Sequence, residues 1–219
     1  MTLAVNGLSY ERNKKLLFTN LAFQVCPGEA LHIVGPNGAG KTSLLQVLTG
    51  LVRPLHGDIL WNDVSIHNSQ LFQKTLLYIG HKSGMKGVLT PVENLYLFLV
   101  RRGLRIGIRS INQLKQAVKE NIVNVLEKLN LTSYSKRLTS SLSIGQQRRL
   151  ALAKLLLIKS DCWILDEPFT ALDSKGIDFF SLVIKEQLYQ GGIVIFTSHQ
   201  ASTLSNVAIK TLFLAHGGV

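Results

Sequence analysis

Ala30-Leu31-His32-Ile33-Val34-Gly35-Pro36-Asn37-Gly38-Ala39-Gly40-Lys41-Thr42-Ser43 passes from an apolar pentapeptide through a glycine-rich turn into helix-forming residues. Strand, tight loop and helix in this order make a phosphate-binding loop. Gly35, Gly38 and Gly40 let backbone N–H groups curl around phosphate oxygens without Cβ clashes. The helix opening near Lys41 adds partial positive charge at its N-terminus. Lys41 is placed for the β- and γ-phosphates of a nucleotide and the Thr42 hydroxyl for Mg²⁺.

Outward from this stretch, short runs of branched apolar residues alternate with helix-length segments, the pattern of an α/β protein with a largely parallel sheet. Strands are expected at Leu3–Leu8, Leu21–Cys26, Ala30–Val34, Asp58–Trp61, Thr75–Ile79, Cys162–Leu165, Ile193–Thr197 and Lys210–Leu214. Helices are expected at Lys41–Gly50, Gln113–Leu129, Gly145–Lys159 and Lys175–Tyr189. From 84 to 159 the chain reads as helix without a good strand. It is therefore expected to be one domain, 1–219, whose core (1–83 and 160–219) carries a helical insertion (84–159).

Trp163-Ile164-Leu165-Asp166-Glu167 reads as a buried strand ending in two acids. Beside a phosphate loop, such an end is a Mg²⁺ and water site: Asp166 to hold the cation, Glu167 to orient and deprotonate the attacking water. Leu142-Ser143-Ile144-Gly145-Gln146-Gln147-Arg148-Arg149-Leu150 opens another helix, for which Ser143 could serve simply as N-cap.

That last segment resembles, almost residue for residue, the signature loop of ABC-type ATPases. The resemblance implies the P-loop core of that family, with an N-terminal antiparallel β portion, and ATP and Mg²⁺ as its ligands. It places Ser143, Gly145 and Gln146 against the γ-phosphate held by a second subunit, so that a homodimer sandwiches two nucleotides. The cassette's own contacts would run from Gly35, Pro36, Asn37, Gly38, Ala39 and Gly40 through Lys41, Thr42 and Ser43. Ala171-Leu172-Asp173 is similar to the family's dimer-interface loop, and His199 stands at its switch position, sensing γ-phosphate. Ile144 replaces a glycine, and His81 stands where the family has a catalytic Gln. The aromatic that covers adenine falls near Arg12, with Tyr10 two residues away, and either is suited to it.

Tyr78-Ile79-Gly80-His81, Trp163 before the acids and Thr197-Ser198-His199-Gln200 further resemble the ATP-binding subunit of the bacterial haem exporter, or cytochrome c biogenesis, system. That implies a membrane permease partner, further cytochrome c maturation membrane proteins, and a peripheral place on the cytoplasmic face of the inner membrane. The alternatives are an ABC subunit for another substrate and a soluble ABC ATPase acting on nucleic acid or ribosomes. Against the latter, the chain has neither long insertions nor a second ATPase unit.

Charge and composition narrow this further. The net +11 is concentrated in 101–160, with thirteen Lys/Arg against two acids, whereas 1–100 holds eight against five and 161–219 three against six. Such a field could face anionic lipid, nucleic acid, an acidic partner or solvent alone, and charge does not decide among them; the resemblance implies a place near anionic lipid, with no nucleic acid partner expected. No apolar run reaches the ~18–20 residues of a membrane span, and Met1–Asn6 lacks the pattern of a secretory signal. Cys26 and Cys162 lack metal-type spacing and read as reduced core thiols.

Overall fold

A computed structural model describes residues 1–103, 111–198, 204 and 207–215, with backbone only for 111–115. The chain divides into two compact units: Met1–His81 with Ser160–Phe169 and Ile177–Val219, and Lys82–Lys159 with Thr170–Gly176.

The first unit holds two sheets. One is antiparallel and built from β1 (Leu3–Arg12), β2 (Lys15–Val25), β4 (His56–Trp61) and β5 (Val64–Ser65), in the order β2-β1-β4-β5. Asn13 and Lys14 turn β1 into β2 with φ 53 and 60, the left-handed pair a two-residue hairpin requires. The other sheet is parallel and contains β3 (Ala30–Val34), β6 (Leu76–Ile79), β7 (Cys162–Asp166), β8 (Ile193–Thr197) and β9 (Ile209–Phe213), in the order β6-β7-β8-β3-β9. β7 and β8 are buried at every residue, as strands covered on both faces are. Helices α1 (Lys41–Leu48), α2 (Gln70–Thr75) and α7 (Ser174–Tyr189, beginning in the second unit) complete it. One buried core joins Leu3, Val5 and Phe18 of the antiparallel sheet to Leu44 and Leu48 of α1 and to Ile164 and Ile195 of the parallel sheet. Both tryptophans of the chain belong here: Trp61, tilted against Phe72 at 5.4 Å, and Trp163 on β7.

The second unit is helical: α3 (Pro91–Arg101), α4 (Ile111–Lys128), α5 (Ile144–Leu152) and α6 (Lys154–Leu157), with no strand among its described residues. Thr90 caps α3 through a reciprocal box with Glu93, with Pro91 at the first helical position. Buried Asn94 accepts from Lys86 N–H at 2.8 Å and donates to Thr139 Oγ1 at 3.0 Å. It thereby ties the 86–90 loop to the turn at Thr139–Ser141.

Three local expectations need correction. Thr75 ends a short helix instead of opening a strand, because Ser69 Oγ accepts the Phe72 N–H and nucleates a turn there. The helix expected over 145–159 breaks at Ala153, and Ile158 is already extended. The N-terminal strands run longer, to Arg12 and from Lys15, since the hairpin closes them into one ladder.

Candidate nucleotide site

Strand β3 delivers the chain to Gly35 at φ 151, where an added Cβ would collide with the Leu214 carbonyl, so only glycine allows the turn. Pro36, Asn37 and Gly38 are exposed, Ala39 is buried, and Gly40 precedes α1 with no side-chain cap. No side-chain oxygen of a cap residue therefore competes for the first-turn N–H groups, which suits an anion. Lys41 Nζ donates to the Gly35 carbonyl at 2.7 Å and the Pro36 carbonyl at 3.0 Å, folding the ammonium back over the loop. Thr42 is exposed while Ser43 is buried under the helix.

A polar network connects this loop to the ends of two strands. Thr42 Oγ1 donates to Asp166 Oδ2 at 2.9 Å, and Thr197 Oγ1 donates to Asp166 Oδ1 at 2.8 Å. Thr197 Oγ1 in turn accepts the Glu167 N–H at 2.9 Å. Asp166 is only 1% exposed, so each carboxylate oxygen needs a donor, and each has one. Glu167 has φ 50, a left-handed conformation that costs a non-glycine residue about 1 kcal/mol or more. Strain of this kind persists where neighbours fix it, and here Thr197 does so. Thr197 stands in the sequence only as the end of an apolar strand and the first residue of Thr197-Ser198-His199-Gln200, and neither points to a bond with Asp166.

His81 lies just past β6 and is exposed. Half-buried Tyr78 folds over the same turn, such that a Cβ at Gly80 would lie 2.9 Å from its hydroxyl. Burial, and then the Asp166 carboxylate, push the Tyr78 phenol up. Tyr10 is half-buried with its ring 5.8 Å from Phe18, while Arg12 is exposed at the hairpin. Leu17 packs on the phosphate loop, its Cβ 3.2 Å from where a Gly40 Cβ would be, a neighbour that strand periodicity alone did not single out. His199 lies outside the described residues.

In the second unit Ser143 does serve as N-cap: its Oγ accepts the Gln146 N–H at 3.2 Å, and Gln146 Oε1 accepts the Ser143 N–H at 2.9 Å. Ser143 and Ile144 are nonetheless exposed, Ile144 to 77%. Gly145 is confined for another reason, since a Cβ there would lie 2.6 Å from the Ala171 carbonyl. Ala171 itself has φ 63. Arg149 reaches Asp173 at 2.9 Å, and Asp173 also accepts the Gly176 N–H at 3.0 Å; that N–H, then Arg149, hold the Asp173 carboxyl below its usual range. Ala171–Asp173 thus packs on the start of α5.

The basic field is partly internal. Arg148 is buried, Arg149 is paired, and Lys154 Nζ lies 5.4 Å from the Phe98 ring centroid. Burial, and then Arg148, push the Lys154 ammonium down. Arg101, Lys119, Lys128, Lys136 and Arg137 stay exposed. Both cysteines are free, with Cys162 pushed up to about 12 by burial and then by Asp161, an inert core thiol. Among the described residues no helix is long and apolar enough to cross a membrane.

A strand-borne phosphate loop, two acids tied to it through threonines, and a separate capped Ser-x-Gly-Gln helix define a class of nucleotide-hydrolysing protein. The family described as ABC transporter matches residues 18–170, and the chain belongs to it, as an ATP-binding and ATP-hydrolysing cassette. Within that family, it is 41% identical over 199 residues to the cytochrome c biogenesis ATP-binding export protein CcmA of Tatumella citrea, covering 90% of this chain and 88% of the relative. It is 37% identical over 217 residues to the CcmA protein of Escherichia coli O6:H1, covering 99% and 98%. The fold is also that of a solved dimeric cassette, MJ0796, in a post-hydrolysis state with ADP and Pi, at TM-score 0.83 and 20% identity, covering 99% of this chain and 96% of that one.

Proposed function

We propose that this cassette drives a membrane complex that delivers haem for c-type cytochrome biogenesis. The observation that carries this is the run of CcmA relatives at 37–41% identity over nine-tenths or more of the chain. The reading joins them to the network of Thr42, Asp166, Thr197 and Glu167. In it the chain sits peripherally on the cytoplasmic face of the inner membrane, against a permease and other cytochrome c maturation proteins. Its exposed basic residues there suit anionic lipid.

Each residue then has a task. The loop N–H groups and Lys41 bind the phosphates of ATP, and the hairpin β1–β2, with Tyr10 or Arg12, covers the adenine. Glu167 accepts a proton from the water that attacks the γ-phosphate, its backbone held by Thr197. His81 orients that water through an imidazole nitrogen in place of the family's amide, and His199 contacts the γ-phosphate. Thr42 and Asp166, hard oxygen donors 2.9 Å apart, fit Mg²⁺, which takes few protein ligands beside phosphate and water. Mg²⁺ would neutralise the phosphate oxygens as charge develops.

Two copies are proposed to close on two ATP molecules, Ser143, Gly145 and Gln146 of one subunit facing the phosphate loop of the other. The exposure of Ser143 supports this, as does the dimeric form of the solved cassette. The domain reading stays as proposed: 1–83 with 160–219 as the nucleotide-binding core and 84–159 as the helical part that works on the permease.

The test is haem staining of c-type cytochromes in cells whose only copy carries Glu167→Gln at normal subunit level. Loss of every holo-cytochrome c is expected. Normal staining would overturn the assignment to cytochrome c biogenesis and leave an ABC motor for another substrate.

A further inference from the structure

Strand β3 carries one polar side chain among five residues, His32, at 8% exposure between Leu31 and Ile33. Its ring stacks on Phe196, its register partner on β8, with centroids 4.7 Å apart and planes 8° from parallel. Its Nε2 lies 2.8 Å from the Ser198 carbonyl oxygen. A carbonyl can only accept, so Nε2 carries the proton and donates.

Stacking alone does not account for the imidazole. A leucine or phenylalanine would fill that volume without the cost of burying a polar ring, so the hydrogen bond is what the histidine adds. Where the bond ends is informative. The paired register of β3 and β8 runs from Ala30↔Val194 to Ile33↔Thr197, and Ser198 is the first residue beyond it. His32 therefore ties down the chain just where the ladder stops. The residue next to that tie is Thr197, whose hydroxyl holds both the Asp166 carboxylate and the Glu167 N–H.

We propose that His32 is a positioning residue for ATP hydrolysis. By holding the Ser198 carbonyl it fixes the end of β8, and through Thr197 it sets the placement of Asp166 and Glu167. It stands two residues before Val34 closes β3, so one strand both delivers the phosphate loop and steadies the acids. The inference rests on the roles given above to Asp166 and Glu167.

The test is phosphate release by the purified full chain, with nucleotide affinity from a fluorescent ADP analogue and Tm measured in parallel. Gln carries an amide donor long enough to reach the carbonyl, and Asn is one methylene too short. His32→Leu and His32→Asn are expected to lower kcat roughly tenfold, equivalent to about 1.4 kcal/mol of barrier, with KM within about twofold of the parent. His32→Gln is expected to restore most of that loss. Unchanged kcat in His32→Leu, or an equal loss in Gln and Asn, would overturn the proposal. If His32→Leu does not fold, the Gln and Asn pair decides by the same criteria. A double-mutant cycle with Thr197→Val adds a second criterion: effects that add fully within about 0.5 kcal/mol would mean the two residues act separately, and would overturn it. Glu167→Gln in the same assay separates the two readings. Fast turnover by that variant removes the role of Glu167, whatever the His32 series does.

Discussion

The phosphate edge of the first unit and the start of α5 in the second both present polar residues, but they use them in opposite ways. At the phosphate edge, side chains from three segments distant in sequence bond one another: Thr42, Asp166 and Thr197 lie 124 and 31 residues apart and share one carboxylate. At the mouth of α5 Ser143 and Gln146, three residues apart, bond each other. A network spanning the sheet is cooperative, so loss of one member leaves a buried charge under-satisfied. A local cap costs only its own bond when it is lost, and the residues that make it remain available to a second molecule. Loss of a residue is therefore expected to be severe at the first site and mild at the second.

Glu167→Gln should be the most damaging change, lowering ATP turnover about 10²–10⁴-fold while nucleotide binding persists, as single-turnover and equilibrium binding assays would reveal. Turnover near the parent value would break the contrast at its centre. Lys41→Ala comes next: the phosphates lose a charge-assisted donor, and nucleotide affinity should fall about a hundredfold or more in equilibrium titration. Gly145→Ala tests the second site differently. Its methyl would press on the Ala171 carbonyl, and overpacking of this kind costs about 1–3 kcal/mol. A Tm lower by several degrees, followed by far-UV circular dichroism, is expected.

Ser143→Ala should cost about 1 kcal/mol of helix capping and little of the nucleotide affinity of a single subunit. If it weakens that affinity as much as Lys41→Ala does, the separation between the two regions fails.

The smallest effect concerns pH. Lys210, and then the Cys26 N–H, hold the Glu29 carboxyl below its usual range, and Glu29 holds Lys210 above its own. The stabilisation from Glu29 is thus complete above its unfolded pKa and is lost as pH falls through the lowered folded value. That from Lys210 is complete below its unfolded pKa and is lost as pH rises through the raised folded value. Both groups are solvent-accessible, so the difference in Tm between the parent and Lys210→Met should be slight at neutral pH and disappear as pH falls through the lowered Glu29 value.

What the sequence made legible follows from how local each feature is. The loop Gly35–Thr42 and the pair Asp166-Glu167 declare themselves within a few residues of strand and turn. Thr197 does not, because its role exists only once β8 pairs beside β7. The strain at Glu167 was hidden for the same reason: it depends on a hydroxyl 30 residues away. Gly145 could be read as an approach site for phosphate, but its second constraint, the Ala171 carbonyl, comes from another stretch of chain. Counting charges placed Arg148, Arg149 and Lys154 in a surface field. Burial and pairing withdraw them from it, and no count of Lys and Arg along a helix can foresee that.

The placement of the two tryptophans has a spectroscopic consequence. Trp61 and Trp163 both belong to the first unit, and residues 82–159 and 170–176 contain none. Tryptophan emission therefore watches the sheets and has no source in the helical unit. A tryptophan at the exposed position 144, introduced as Ile144→Trp, would give that unit its own lamp, and a change in its emission on adding ATP would report the proposed closure of a second subunit over α5.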